Sequence, residues 1–465
     1  MITVETPEEY HYILNCLFSV MGISFSLKIT RDKDYPRLYF FDEKIDLDLD
    51  VDKLIEINDM LIRRKELSGD RDTHNRYIPQ DTEEGKHRPF DEYVSKLYMK
   101  IKNYAMSQDL PIARKWFWPE GKKFAICLTH DIDQIRTPLR YLAKGVLYFL
   151  KRGNIHKALK RFFELITYKN AWNIKQIVQI EESLGVKSTF FFLINRTSKY
   201  DGMNSKKTTY SEIQKLAELG IDIQLHGSYN SYNNEQLLRQ EKTQLEKLSK
   251  RDVIGIRQHY LRFEVPVTWE IQDKLGFKYD TTLGFADNIG FRAGISFPFH
   301  PINVQNNKIF NILEIPLAIM DTALAGYMKI SAKEAWKKIS SLISSVEQHN
   351  GLVTLLWHNK FFDKVAWADW HNLYKKILGY GLEKNAFLGS ATQVYNWWIQ
   401  RENANFEATL VKDKSKVIWK IIGFSSLYVE YVLPENWFIK VNGKEFTGTF
   451  LLPTEKAMEI IAIRK

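Results

Sequence analysis

Short apolar runs alternate with helical patterns over the central part of the chain, from about residue 118 to 402. Seven runs predict strands, and most are continuously apolar, which is typical of strands buried on both faces of a parallel sheet. In chain order they cover residues 124–129, 187–194, 221–226, 254–260, 277–282, 312–317 and 352–358. Alternating strands and helices predict a parallel sheet, and seven strands favour a (β/α) barrel with irregular closure.

Helix start and stop signals separate these strands. Ser211 and Gln214 stand at capping-box spacing, and Gly220 follows as a stop signal. A second helix is predicted after Ser331, which has Glu334 at the same spacing. The pattern therefore predicts helices between consecutive strands, as an α/β fold requires.

The two flanking regions have other patterns. Residues 1–117 predict a small accessory α/β domain, with a strand at 37–42, a half-exposed strand or turn at 45–54 and a polar loop at 68–92. Residues 403–465 contain short β-like runs joined by turns, which predicts a small antiparallel β domain. The chain thus divides into 1–117, 118–402 and 403–465.

Composition narrows the class of protein. The 465 residues are 45% hydrophobic and 26% charged, which excludes a disordered chain, and the net charge is +10. Two cysteines support neither a disulfide framework nor a cysteine-based zinc site. No secretory signal and no apolar run of membrane-spanning length is recognised, so a cytoplasmic location is expected. The charge permits an anionic partner, but no basic run with stacking residues predicts nucleic-acid binding.

Polar residues follow four of the predicted strands. The strand tips carry Asp131 and Asp133, then His226, then Arg257 with His259, and finally His358. The carboxyl ends of barrel strands form one rim, where active sites are built. The sequence therefore predicts that these side chains meet.

Each of these residues has a functional and a structural interpretation. Asp131 and Asp133 can ligate a metal and activate water, or one can cap a helix. His226 is a candidate metal ligand or a structural histidine, and His358 is a general acid or a core histidine. Arg257 can orient a carboxylate or form a structural ion pair.

The order of these motifs resembles the polysaccharide deacetylase (NodB-homology) family, in a divergent bacterial branch. Thr129-His130-Asp131-Ile132-Asp133 resembles its first motif, and residues 187–192 (KSTFFF) resemble a strand of the family. His226 matches the start of the second motif, Arg257 the third, and Leu356-Trp357-His358 the last. The resemblance covers about 118–402 and implies a deformed (β/α) barrel.

The resemblance also implies roles. Asp131 would be the base, oriented by Arg257, and His358 the acid. Asp133 and His226 would bind a divalent metal, usually Zn²⁺, with Co²⁺, Ni²⁺ or Mn²⁺ as alternatives and no organic cofactor. Four further residues are expected near the site without assigned roles: Asp280, Asp287, Arg292 and Asp321.

Three positions depart from the family pattern. Ile132 separates the two carboxylates, so the roles of Asp131 and Asp133 can be exchanged. Asn230 stands where the second metal histidine is expected, and His259 on the neighbouring strand is a candidate replacement. The third motif continues as RQHYLR (257–262). The candidate ligands are thus Asp133, His226, Asn230 and His259.

Residues 137–166 form a basic, amphipathic insertion after the first motif. It predicts either a helical hairpin packed on the barrel with a solvated basic face, or peripheral contact with an anionic membrane. A lipid-linked sugar would suit the second alternative.

The favoured function is a metal-dependent deacetylase that removes an N- or O-acetyl group from a sugar in surface polysaccharide or glycolipid metabolism. One alternative is a non-catalytic carbohydrate-binding or scaffold protein of the same fold. A third is a glycoside hydrolase that uses two carboxylates, for example Asp133 and Glu314, without a metal.

Overall fold

A computed structural model describes most of the chain. The described residues are 1–30, 36–45, 49–79, 85, 87–135, 137, 139–167, 173–202, 206–423, 427–455 and 457–465. Within these ranges, no helix combines the length and the apolar character that crossing a membrane requires.

The N-terminal region is built on a four-stranded sheet with the order β2-β1-β3-β4. Its elements are β1 (Ile2–Thr6), α1 (Glu8–Met21), β2 (Phe25–Ile29), β3 (Arg37–Phe40), β4 (Glu43–Ile45), α2 (Val51–Leu61), α3 (Pro89–Ser107) and β5 (Ile112–Lys115). The prediction of a strand or turn at 45–54 is wrong for its second half. The Asp50 side chain accepts from the amide of Lys53 at 2.9 Å and so caps α2 instead.

Nine parallel strands form the central sheet, with the path β13-β10-β9-β8-β7-β6-β15-β14 and β16 beside β6. The strands are β6 (Ala125–Ile132), β7 (Thr189–Leu193), β8 (Asp222–Gly227), β9 (Gly255–Gln258), β10 (Tyr279–Asp280), β13 (Leu313–Glu314), β14 (Leu317–Met320), β15 (Leu352–Leu356) and β16 (Phe387–Ser390). A small antiparallel pair, β11 (Ile302–Asn303) and β12 (Lys308–Ile309), precedes β13.

The central sheet closes on itself through a single segment of chain. Its two outermost strands, β13 and β14, are separated only by Ile315 and Pro316. The opposite ends of the path therefore come from one extended segment, and the sheet curves into a deformed barrel with its seam at Pro316. The predicted irregular closure is confirmed.

Helices surround this barrel, as the alternating pattern predicts. They are α4 (Leu139–Lys151), α5 (Ile155–Thr167), α6 (Asn173–Glu182), α7 (Lys206–Glu218), α8 (Glu235–Ser249), α9 (Val267–Lys274), α10 (Ala332–Glu347), α11 (Ala368–Glu383) and α12 (Ala391–Asn403). The capping box of Ser331 and Glu334 is confirmed at α10. The predicted cap at Ser211 is wrong, because this residue lies inside α7.

The C-terminal region is antiparallel, as predicted. Its strands are β17 (Asn405–Leu410), β18 (Lys416–Ile422), β19 (Tyr428–Val432), β20 (Trp437–Val441), β21 (Lys444–Phe446), β22 (Thr449–Pro453) and β23 (Ala457–Arg464). They form a five-stranded sheet, β17-β18-β23-β20-β21, and a three-stranded sheet, β22-β19-β5. Strand β5 precedes the barrel in sequence, so this second sheet joins the two ends of the chain.

Candidate metal centre

The predicted strand tips meet at one end of the barrel. Five of the predicted side chains line a single cavity of about 190 Å³: Asp131, Asp133, His226, His259 and His358. They come from the tips of β6, β8, β9 and β15, and these strands are neighbours or near neighbours in the sheet. Parallel strands present their carboxyl ends to the same rim, which explains the convergence.

Arg257 lies fully buried beside the first of these carboxylates. Its Nη1 donates to Oδ1 of Asp131 and to Oγ1 of Thr129, each at 2.9 Å. Its Nε and Nη2 donate to the carbonyl and hydroxyl oxygens of Thr281, at 2.9 and 3.1 Å. With its donors fixed in this way, the guanidinium holds the Asp131 carboxylate in one orientation.

Asp133, His226 and His259 bring three ligand atoms together. Oδ1 of Asp133 lies 3.3 Å from Nε2 of His226 and 3.4 Å from Nδ1 of His259. The two ring nitrogens are 3.0 Å apart. Zinc–ligand bonds of roughly 2.0–2.1 Å in a tetrahedral site separate the ligand atoms by roughly 3.3 Å. The triangle therefore has the size of one face of a zinc site.

The protonation of both histidines also suits a cation. Nδ1 of His226 lies 2.9 Å from the carbonyl oxygen of Arg257, and Nε2 of His259 lies 3.1 Å from that of Tyr200. A carbonyl oxygen only accepts, so both of these nitrogens carry hydrogen. In the neutral rings the remaining nitrogens have lone pairs that face each other. A proton or a cation must lie between them, so the donor set fits a divalent metal.

The electrostatics of this trio agree with that arrangement. Burial opposes the ionised form of Asp133, but attraction to His259 and hydrogen bonding with His226 hold the pKa of Asp133 well below its usual range. Burial also opposes a charged His226, yet Asp131 and Asp133 raise the pKa of His226. Burial lowers the pKa of His259. One proton and one metal ion thus compete for the same position at His226.

Asn230 lies apart from this trio. Its side chain is exposed, its Nδ2 donates to the carbonyl of Thr197 at 3.0 Å, and its Oδ1 lies 3.4 Å from Nη1 of Arg262. The structure therefore does not bring Asn230 to the other predicted ligands. His259 occupies the third corner instead, which was the alternative that the sequence offered.

His358 faces the trio from the other side of the cavity. Its Nε2 lies 3.8 Å from Oδ2 of Asp133, while its Nδ1 donates to Oδ1 of Asp321 at 2.7 Å. The backbone amide of His358 donates to Oδ2 of the same carboxylate. Burial lowers the pKa of His358, but Asp321 outweighs it and the pKa is raised. The ring therefore presents Nε2 to the cavity and favours its protonated form.

Loops around the rim hold these groups in place. Asp201 accepts from the backbone amides of Thr197, Ser198 and Tyr229, which ties the loop after β7 to the loop after β8. Gly202 is required there, because a Cβ at this position would lie 1.9 Å from the carbonyl oxygen of Asp133. Tyr260, directly after His259, has a φ of 61°. A strained non-glycine backbone of this kind is typical of functional sites.

The N-terminal region forms part of the cavity wall, which the sequence did not predict. Arg76 lines the cavity and donates to Oδ2 of Asp72 at 2.7 Å. Nδ1 of His74 lies 3.0 Å from the hydroxyl of Tyr229 on the rim. Nothing in the spacing of residues 68–79 connects them to the barrel motifs.

The four residues that were expected near the site without assigned roles lie in different places in the structure. Asp321 contacts His358, and Asp287 lines a neighbouring cavity. Asp280 is fully buried, where its Oδ1 accepts from Gln272 at 2.9 Å. Arg292 pairs with the buried Glu66 of the N-terminal region. Among these four, only Asp321 touches one of the predicted site residues.

Comparisons with known proteins give matches among solved structures. No family model matches the chain, and no curated protein does. A chain from Mycobacterium smegmatis described as a polysaccharide deacetylase is 16% identical, covers 61% of this chain and 93% of its own, and has a TM-score of 0.43. One from Pseudomonas aeruginosa, described likewise, is 12% identical, with coverages of 60% and 92% and a TM-score of 0.41.

A third match is a CE4 family pseudoenzyme from Bacillus anthracis, 12% identical, with coverages of 60% and 66% and a TM-score of 0.32. At such identities these solved structures assign no residue roles, so the roles rest on the contacts of this chain's own side chains.

Proposed function

We propose that this protein is a metal-dependent deacetylase that hydrolyses an acetyl group on a sugar. The observation that carries the proposal is the triangle of Asp133, His226 and His259, whose two facing ring nitrogens require a cation or a proton between them. Asp131 and His358 flank this triangle within the same cavity. A base, an acid and a metal-sized ligand set at one site match the hydrolysis of an amide or ester.

The side chains divide the work as follows. Asp133, His226 and His259 would hold a divalent metal, with Zn²⁺ favoured by the nitrogen-rich ligand set. When bound, such a metal polarises a carbonyl oxygen and lowers the pKa of bound water. Asp131, oriented by Arg257, would accept a proton from the attacking water. His358 would protonate the leaving nitrogen or oxygen through Nε2.

Two alternatives have less support. A non-catalytic protein was suggested by the missing second histidine, but His259 supplies a third ligand atom. A glycoside hydrolase using Asp133 and Glu314 requires both carboxyls beside one substrate. Glu314 is fully buried and accepts from Nε1 of Trp269 at 2.9 Å. Burial and the neighbouring Asp280 raise the pKa of Glu314, as expected for a buried carboxyl pair that shares a proton.

Metal removal is the direct test of this function. Acetate release would be measured with acetylated amino sugars and O-acetylated sugars as substrates, before and after dialysis against a chelator. We expect activity to fall by at least about 100-fold after chelation and to return with added Zn²⁺, because the metal supplies much of the stabilisation of the transition state.

Two outcomes of the chelation experiment would contradict the proposed function. Acetate release that survives chelation unchanged would refute metal dependence. Cleavage of a glycosidic bond without acetate release would favour the glycoside hydrolase instead.

The pH profile tests the partnership of His358 and Asp321. In the Asp321→Asn variant the imidazolium loses its anionic partner, so the pKa of His358 should fall. The decline of kcat with rising pH should then begin at a lower pH, and the rate at neutral pH should drop by about 10–100-fold. The exposed Asp369 provides the control, since Asp369→Asn should leave the profile unchanged. If the decline of kcat at high pH were unchanged in Asp321→Asn, His358 would not be the general acid.

A further inference from the structure

The hairpin of α4 and α5 has an unusual surface for a water-exposed element. Of the 23 large hydrophobic side chains exposed in the described part of the chain, ten lie in this hairpin. The most exposed are Ile155, Ile166, Leu159, Leu147 and Phe163, with 58–64% of their surface accessible. Contiguous apolar exposure of this kind marks an interaction surface.

These side chains follow the period of a helix. In α5 the exposed apolar residues stand at 155, 159, 162, 163 and 166, which places them on one face. In α4, Leu139, Leu147 and Leu150 also share a face. The sequence therefore builds an apolar stripe on each helix, and in each case the stripe is open to solvent.

The hairpin contacts the barrel through other residues. Phe149 and Ala158 form a small buried cluster with Val365, and Nη2 of Arg161 pairs with Asp363 at 2.7 Å. These contacts attach the hairpin without using its exposed stripes. The predicted packing of the hairpin on the barrel is confirmed, but its apolar stripes are exposed to solvent as well as most of its basic residues.

Charge identifies what would cover the stripes. Residues 139–167 contain seven Lys or Arg residues and one acidic residue, Glu164. Glu164 is paired with Arg161 at 2.8 Å. A second copy of this hairpin would bring the same positive charge and repel the first. A bilayer with anionic headgroups complements both the apolar stripes and the cations.

We infer that the hairpin of residues 139–167 docks on an anionic lipid bilayer, with its apolar stripes in the interface and its Lys and Arg side chains among the headgroups. The hairpin follows β6, which carries Asp131, and it is attached at Asp363 and Val365, shortly after His358. Docking would therefore hold the cavity mouth near the membrane surface. This last step, which points to a lipid-linked acetylated sugar as substrate, rests on the proposed function.

Vesicle sedimentation with the full chain tests the docking. The vesicles would contain phosphatidylcholine alone or phosphatidylcholine mixed with phosphatidylglycerol. We expect binding to the mixed vesicles, weaker binding as salt is raised, and little binding to phosphatidylcholine alone. The double variant Leu159→Glu/Phe163→Glu should lose at least about tenfold in binding, because it places a charge on each of two successive turns in the middle of the α5 stripe.

Leu219→Glu is the matched control, because Leu219 is 69% exposed but lies outside the hairpin. It should bind vesicles like the unaltered protein, and thermal unfolding should show that all variants remain folded. Absence of binding to mixed vesicles at low salt would overturn the proposal, and so would an equal loss in Leu219→Glu. If the protein did not bind vesicles but formed a dimer, and Leu159→Glu/Phe163→Glu abolished that dimer, the stripes would instead be an interface between two copies of the chain.

The outcome is separable from that of the proposed function. Asp131→Asn should bind vesicles normally, because the hairpin does not depend on catalysis. If the unaltered protein bound vesicles but had no deacetylase activity, the proposed function would be wrong and the proposed docking of the hairpin on lipid would stand.

Discussion

Replacement of His226 by alanine is expected to weaken Zn²⁺ binding by more than about 100-fold and to abolish measurable acetate release. The reason is geometric: Nε2 of His226 is one corner of the ligand triangle, 3.3 Å from Asp133 and 3.0 Å from His259. Replacing a residue that only hydrogen-bonds to a metal ligand typically lowers the affinity for the metal by about 10–100-fold, so replacing the ligand itself should lower it further. Titration calorimetry with Zn²⁺ measures the change directly.

Asn230→Ala provides the matched control for this experiment. Asn230 occupies the position where the family pattern expects a second metal histidine, yet its amide contacts Thr197 and Arg262. Zinc affinity should therefore stay within about twofold of the unaltered protein. Strong loss of affinity in Asn230→Ala, together with retention in His226→Ala, would contradict the ligand set.

Asp131→Asn is expected to lower kcat by about 10²–10⁴-fold while leaving the zinc content unchanged, since general-base catalysis contributes about that factor. Oδ1 of Asp131 is bound to Arg257 at 2.9 Å, and its Oδ2 lies 3.6 Å from Nε2 of His226. Oδ1 of Asp133 lies nearer to that nitrogen, at 3.3 Å, and is 3.4 Å from Nδ1 of His259. We therefore propose that, despite the insertion of Ile132, Asp131 acts as the base and Asp133 as the metal ligand.

Asp133→Asn gives the opposite pattern and completes the test. It should lower zinc affinity by at least about tenfold, because a neutral amide is a poor ligand for Zn²⁺, and activity should fall with it. Metal analysis and acetate release, measured on both variants, distinguish the two roles. If Asp131→Asn lost the metal and Asp133→Asn kept it, the roles would be exchanged.

The barrel and most of its rim could be predicted from the sequence for a physical reason. Strands buried on both faces are continuously apolar, so a polar residue at a strand's end stands out. Parallel strands then bring those ends together regardless of their separation along the chain. Asp131, His226, Arg257 and His358 were found in this way, and His259 followed as a neighbour of Arg257.

The predictions for Asn230 and Asp321 were wrong or incomplete because the positions of these residues depend on tertiary contacts, which leave no pattern in the nearby sequence. Asn230 has the right spacing from His226, but Asp201 accepts from the amide of Tyr229 and Asn230 bonds to Thr197 instead. Asp321 was left without a role because the strand predicted at 312–317 is divided at Pro316 and continues as β14 to Met320. Its carboxylate reaches His358 only because β14 pairs with β15.

The contribution of the N-terminal region could not be predicted either. Arg76 reaches the cavity through contacts between segments almost two hundred residues apart, such as that of Arg262 Nε with the carbonyl of His74 at 2.7 Å. A polar loop with turn-forming residues carries no information about which surface it will cover.

Anomalous X-ray diffraction at the zinc edge, on crystals of the protein grown with Zn²⁺, would show whether Asp133, His226 and His259 bind the metal. We expect one strong anomalous peak within about 2.0–2.3 Å of Oδ1 of Asp133, Nε2 of His226 and Nδ1 of His259. If crystals grown with saturating Zn²⁺ showed no peak at this triangle, or showed the peak at Asn230, the proposed ligand set would be wrong.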